Sequence, residues 1–409
     1  MISELYFHEG RTGGRKVYTV LRQAADGYTE RAFSINAGGG SIGEYSVADS
    51  DGKLVNPLWT PHWRQIEPHR FDAANTDHTN LYGAGCDGPL LSGISGANTC
   101  FPVFGGDTDG ALGGAHGEAN IVEWEHPVFN SGQNILSVRA GLPKTQWSII
   151  RKFTFSGSLS FVTIKDSYLN LSAGAKNVTY AQHVTLGWPF LENARIYMPD
   201  NICGHTFPLD FFEPEAGGEN LQRLMKDQTF VYPYAPGKHG EVIALDLFPT
   251  QPQSDCTTQF YLPNDPNLSS DQKNDIWFAA FDRGSGVLLG CIWPKRDFPF
   301  LVRWVENLAR QQSPWCDAQG EPATRALGLE LSNTPFPIGL DYALEHPVFA
   351  GYPTYRAVGP GETFTTEFKM FAFPMPEAKT YDNFEVLNVV NRGHDVQVDT
   401  SATVRPEAR

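Results

Sequence analysis

Forty glycines and 29 prolines are spread over the whole length of this 409-residue chain, separating short runs rich in β-branched and aromatic residues. That dispersal constrains the fold more than any other feature, because both residues punctuate strands and cost stability inside helices. Trp147–Phe155 and Phe161–Leu169 flank a Ser-Gly-Ser-Leu-Ser break and read as a hairpin. Asn177–Leu186 alternates over much of its length, which puts successive side chains on opposite faces of a strand. Similar runs recur at Ile276–Phe281, Gly286–Trp293, Leu301–Val305 and Glu362–Phe371. Helical periodicity is confined to short stretches near Gly218–Met225 and Glu306–Gln312, and no βαβ alternation appears. The pattern predicts an all-β chain: one large antiparallel β-sandwich domain over residues 1–409 with few short helices. Its core is expected at about 54–374, with N-terminal strands and a C-terminal extension packed on it.

Charge narrows the partners. Forty-six acidic against 31 basic residues give a formal charge of −15, and Lys and Arg nowhere cluster. Such a chain repels phosphate backbones and anionic lipid, so neither nucleic acid nor membrane is expected as a partner. Apolar runs are too short to span a bilayer, and the amino terminus lacks a secretory signal's basic and apolar regions, which points to a cytoplasmic protein. Six scattered cysteines without a Cys-x-x-Cys pair read as reduced thiols rather than zinc ligands. Gly39-Gly-Ser-Ile-Gly43 matches Gly-x-Ser-x-Gly but lies in a glycine run with no strand-to-helix setting, and no phosphate-binding Gly-x-x-x-x-Gly-Lys-Ser/Thr occurs.

The residues from Tyr82 to Gly117 are dense in glycine, poor in apolar side chains, and include Asp87, Asn98, Asp107, Asp109 and His116. Long irregular loops in compact β proteins tend to be functional. Three positions within the chain have side chains suited to proton transfer. His116 ends that loop in Gly113-Gly-Ala-His-Gly-Glu-Ala119; His183 sits in the alternating run; Glu330 lies in Ala326-Leu-Gly-Leu-Glu-Leu-Ser-Asn-Thr-Pro335. Each has a plain alternative: a loop-capping His, a structural His, and the solvent-facing residue of an alternating strand. A histidine titrates near neutrality, and a carboxylate turned into a cleft is raised toward it, so together they can serve as acid and base.

In order and local context these segments resemble the galactose mutarotase-like (aldose 1-epimerase) superfamily. Phe101-Pro-Val-Phe-Gly105 followed by His116-Gly and Trp124 is similar to the family's His-Gly loop. His183 with Gly187-Trp-Pro-Phe-Leu191 is similar to its second-His strand, and Gly328-Leu-Glu330 to the strand presenting its Glu. The resemblance runs from about Leu54 to Pro374. It implies a supersandwich fold, His183 as general acid, Glu330 as general base and His116 as a sugar-binding residue. It also implies a carboxylate for sugar hydroxyls, for which Asp210 is the nearest match, and neither metal nor cofactor. Trp188, Trp304 or Tyr180 would supply a stacking face. Where the family has an Arg after the Phe-Pro segment this chain has Gly105-Gly-Asp107, so Arg64, Arg303 or Arg325 would have to stand in; Arg325 is taken as substrate-binding.

The resulting expectation is an aldose 1-epimerase-like isomerase, a divergent member acting on a small carbohydrate as a monomer or homodimer. Two alternatives keep the fold. One is a lyase or other epimerase, with His62, His69, His78 and His116 as possible metal ligands in the front loops. The other is a carbohydrate-binding module without turnover.

Overall fold

The structure is a computed structural model and describes residues 5–107, 109–210, 221–263, 265–381 and 383–401. Among the described residues strands dominate, and every pairing between them is antiparallel. They form a sheet of 14 strands, a sheet of eight, and three two-stranded ribbons. In the larger sheet a meander of Leu5–Thr12, Arg15–Gln23, Thr29–Asn36 and Ile42–Ala48 leads to Ala97–Cys100. Then follow Ala181–Gly187, Arg325–Ser332, Phe300–Asn307 and Gln253–Phe260 at the centre. The expected hairpin of Trp147–Phe155 with Phe161–Asn170 lies in the eight-stranded sheet, next to Thr363–Pro374.

Alternation decides what each face does. Trp147–Phe155 buries every second residue and exposes most of those between, so only one face of that strand meets the core. The central strands of the larger sheet are buried along nearly their whole length. Val184, Leu186, Leu327, Leu329 and Leu331 join the main core cluster together with Phe153, Ile164 and Phe368 of the other sheet. Aromatic contacts such as Phe33 with Phe153, centroids 5.4 Å apart, run between the sheets. The alternate residues His183, Thr185, Gly328 and Glu330 project from the opposite face, where loops rather than a sheet cover them.

A buried polar network joins the two layers beside this row. Arg151 pairs in a two-pronged contact with Asp166, Nε–Oδ1 2.7 Å and Nη2–Oδ2 2.6 Å. Gln182, the chain neighbour of His183, accepts from Arg151 and donates to Asp166. The expected helical stretch at Glu306–Gln312 is a strand end followed by a turn. The Glu306 carboxylate accepts the N–H groups of Ala309 and Arg310, which bends the chain instead of continuing a helix. Of Gly218–Met225, residues 218–220 lie outside the described residues, and Leu224 bridges to Gly237 in extended form. Helices occur instead at Thr76–Tyr82, Gly88–Leu91, Ser270–Asn274 and Leu340–Glu345. Among the described residues no helix is long and apolar enough to cross a membrane. The chain after Pro374 closes with a hairpin, Val386–Asn391 with Val396–Thr400, packed on a second apolar cluster.

Candidate active site

His183 and Glu330 are direct cross-strand partners in the centre of the larger sheet. Both are buried, and His183 Nε2 lies 3.0 Å from Glu330 Oε1. The approach is off the hydrogen-bonding direction, so neither Glu330 oxygen has a hydrogen-bond partner in the protein. A buried carboxylate with open lone pairs is costly unless something else completes it. Burial raises the Glu330 carboxyl well above its ordinary range and pushes the His183 imidazole well below its own, the latter helped by nearby His116. The other ring nitrogen of His183 is fixed by Thr185, Nδ1 to Oγ1 2.9 Å. Next along the same row Asn98 is the cross-strand partner of His183, and its buried Nδ2 has no protein partner either.

Gly328 makes the geometry possible. It stands two residues before Glu330 on the same face, where an added Cβ would lie 2.3 Å from Glu330 Oε1 and 3.3 Å from His183 Cε1. Trp304, the cross-strand partner of Gly328 on the adjoining strand, brings its ring to 6.0 Å from that of His183.

His116 arrives from the glycine-rich loop with φ +61, in the left-handed region that non-glycine residues seldom occupy. The loop enforces it. The His116 carbonyl accepts from the backbone N–H of Phe101 and from the Asn120 side chain, and the Asp107 carboxylate accepts the N–H groups of Leu112 and Gly114. Gly117 follows at φ +83, with the Phe101 carbonyl where a Cβ would be, so the glycine after His116 is a backbone requirement. The N–H of Gly105 donates to His116 Nδ1 at 3.2 Å. Nδ1 is therefore the acceptor, and the neutral ring carries its proton on Nε2. Burial, then the charge of Arg310, lowers the His116 pKa to about 4. Its ring stands edge-on to His183, centroids 5.3 Å apart.

These three residues line one cavity of about 280 Å³, together with Trp304, Trp315, Phe207, Arg310, Asp87 and the aliphatic side chains Leu90, Leu91 and Ile94. The guanidinium of Arg310 stacks 4.1 Å above Trp315, and its Nε is 3.4 Å from Glu306. Sequence reasoning missed Arg310 because it fell in the stretch read as helical; its place between Trp304 and Trp315 was the available signal.

Other expected residues sit elsewhere. Arg325 has the opposite strand parity to Glu330, and its guanidinium lies 4.5 Å over the ring of Trp188. Trp188 follows the end of its strand and is 43% exposed. Asp210 is exposed and pairs with Lys226 at 2.8 Å. Neither Trp188, Arg325 nor Asp210 lines the cavity. Tyr180 belongs to the core. Arg303 is buried and donates to the Leu245 carbonyl. His62 faces the Cys316 carbonyl, His69 lies beside Glu123 and His78 accepts the Asp72 N–H, so they do not gather with His116. Among the described residues no group of three or more His, Cys, Asp or Glu side chains is placed to hold a metal ion.

No protein-family model matches the chain, and no curated protein matches it in sequence. Solved structures do match. A protein of Klebsiella pneumoniae named as a candidate aldose 1-epimerase superposes with a TM-score of 0.56 at 13% identity, over 89% of this chain and 81% of its own. A galactose mutarotase-like protein from Clostridium acetobutylicum gives 0.54 at 12% identity, over 91% and 99%. The fold is therefore galactose mutarotase-like, as the motifs led one to expect.

Proposed function

We propose that this protein is an aldose 1-epimerase-like isomerase, interconverting the anomers of a small sugar by general acid/base ring opening. The observation that carries this is Glu330: a buried carboxylate with both oxygens unpaired, 3.0 Å from His183, facing a cavity of single-sugar size. Burial disfavours the charged form of either partner alone, and their 3.0 Å contact lets a proton pass between them so that the two charges form only together. With that proton on His183, Glu330 is a base and His183 an acid, and the pair's net charge is unchanged.

A cyclic aldose would place its C1 hydroxyl against Glu330 and its ring oxygen within reach of His183. Glu330 takes the hydroxyl proton as the C1–ring oxygen bond breaks, and His183 delivers its proton to the departing ring oxygen. The free aldehyde rotates about C1–C2, and the reverse transfers close the ring on the other face. His116, neutral with its proton on Nε2, donates to a sugar oxygen without competing as an acid. Trp304 forms part of the wall around the ring.

Polarimetry of a freshly dissolved α-aldose tests this. Glu330→Gln and His183→Asn are each expected to slow the protein's contribution roughly 10²–10⁴-fold. Unchanged equilibration in both variants would remove the pair from the reaction.

A further inference from the structure

Part of the cavity is built to receive no polar group. Leu90, Leu91 and Ile94 line it, all three buried, and they pack with Trp59, Trp63, Tyr82, Trp304 and Trp315 in one apolar cluster. Their backbone carbonyls are already engaged. That of Leu90 accepts from the N–H of Gly93, that of Leu91 from the Trp63 indole at 2.9 Å, and that of Ile94 from the Gln65 amide. The same bonds tie this wall to its support, so it cannot readily turn a polar atom inward. A sugar hydroxyl seated against it would leave water and find no partner, whereas a methyl group would gain contact.

The polar side chains of the cavity are accounted for differently. Glu330, His183 and His116 are those assigned to the anomeric centre, and Asp87, just before the helix that carries Leu90 and Leu91, is a carboxylate that can accept a ring hydroxyl. Arg310 lies against Glu306 and over Trp315, so its charge is not offered alone to an acidic sugar. At about 280 Å³ the space is at the lower limit of ligand pockets, roughly 300 Å³, and admits one ring rather than a chain of them.

We infer that the substrate is a deoxy aldose, a monosaccharide bearing a methyl group where common hexoses carry a hydroxymethyl, with that methyl against Leu90, Leu91 and Ile94. This rests on the isomerase reading above and names the substrate class for the same site.

The test compares matched pairs: D-fucose with D-galactose, L-rhamnose with L-mannose, and 6-deoxy-D-glucose with D-glucose. Anomer exchange is measured by NMR at equal, sub-saturating concentration, and saturation transfer from the protein to each sugar is recorded alongside. For at least one pair the deoxy member is expected to exchange about 10- to 100-fold faster, the discrimination typical of one small group in an apolar pocket. Its methyl protons should carry the strongest saturation. Ile94→Thr, which places a hydroxyl on the wall, should shrink that ratio. Hexoses exchanging as fast as their deoxy partners, with the methyl protons weakly saturated, would overturn the inference and leave the isomerase reading standing. Deoxy sugars bound through their methyl groups but never exchanged would support the wall and overturn the isomerase reading.

Discussion

His116 holds its left-handed backbone and its neutral ring at the same time, and both have measurable consequences. Its pKa falls from about 6.5 in the unfolded chain to about 4 in the folded protein. Between those values the unfolded chain binds the extra proton, so this group's contribution to stability is complete above pH 6.5 and is lost as pH falls toward 4. His183, shifted the same way, adds to the loss, whereas buried Glu330 acts in the opposite sense, favouring the folded state as pH falls toward 4.5. Replacing one group isolates its share. In denaturant titrations at pH 7 and pH 4.5, His116→Phe should lose less stability on acidification than the parent. Gly328 makes a different prediction, because the atom its Cβ would meet is the mobile end of Glu330. Gly328→Ala should therefore fold with a melting temperature near that of the parent, while displacement of the carboxylate lowers activity about 10²-fold.

At the scale of elements, what positions the site is a pair of adjacent strands, and their hold depends on the other sheet. Gln182 places the His183 strand against the Arg151–Asp166 pair, so the network fixes the height of the reactive row above the core. Asp166→Ala strands a fully buried guanidinium, and the expected cost is about 3–5 kcal/mol, read as a lower midpoint in chemical denaturation. Strand parity explains much of what was legible beforehand. Leu327, Leu329 and Leu331 against Gly328 and Glu330 is an alternation visible in the sequence, and it places Glu330 correctly on the face away from the core. Applied to Arg325 the same rule would have turned it away from Glu330. Trp188 and Asp210 lie beyond strand ends, where periodicity says nothing about direction. Arg310 and Ile94 reach the cavity from loops, and Leu90 and Leu91 from the one-turn helix Gly88–Leu91, all returning over the sheet from distant parts of the chain, and no local pattern encodes such a return. The turn at Glu306 was misread because a carboxylate capping backbone N–H groups of residues three and four positions later resembles one turn of helix.

At the scale of the whole molecule, the sandwich buries one face of its larger sheet against the smaller sheet and leaves the other to loops. Where those loops meet, a carboxylate and an imidazole are held in contact and out of water. That placement costs folding free energy, since neither Glu330 oxygen is satisfied internally, and sites that strain a fold in this way are commonly those it uses. The most direct measurement is NMR magnetisation exchange between the α and β anomers of an aldose that the protein binds, comparing the parent chain with Glu330→Gln. Exchange is expected to be accelerated by the parent and lost in Glu330→Gln, with saturation transfer to the sugar retained in both. Acceleration that survives in Glu330→Gln would contradict the assignment of Glu330 as the base.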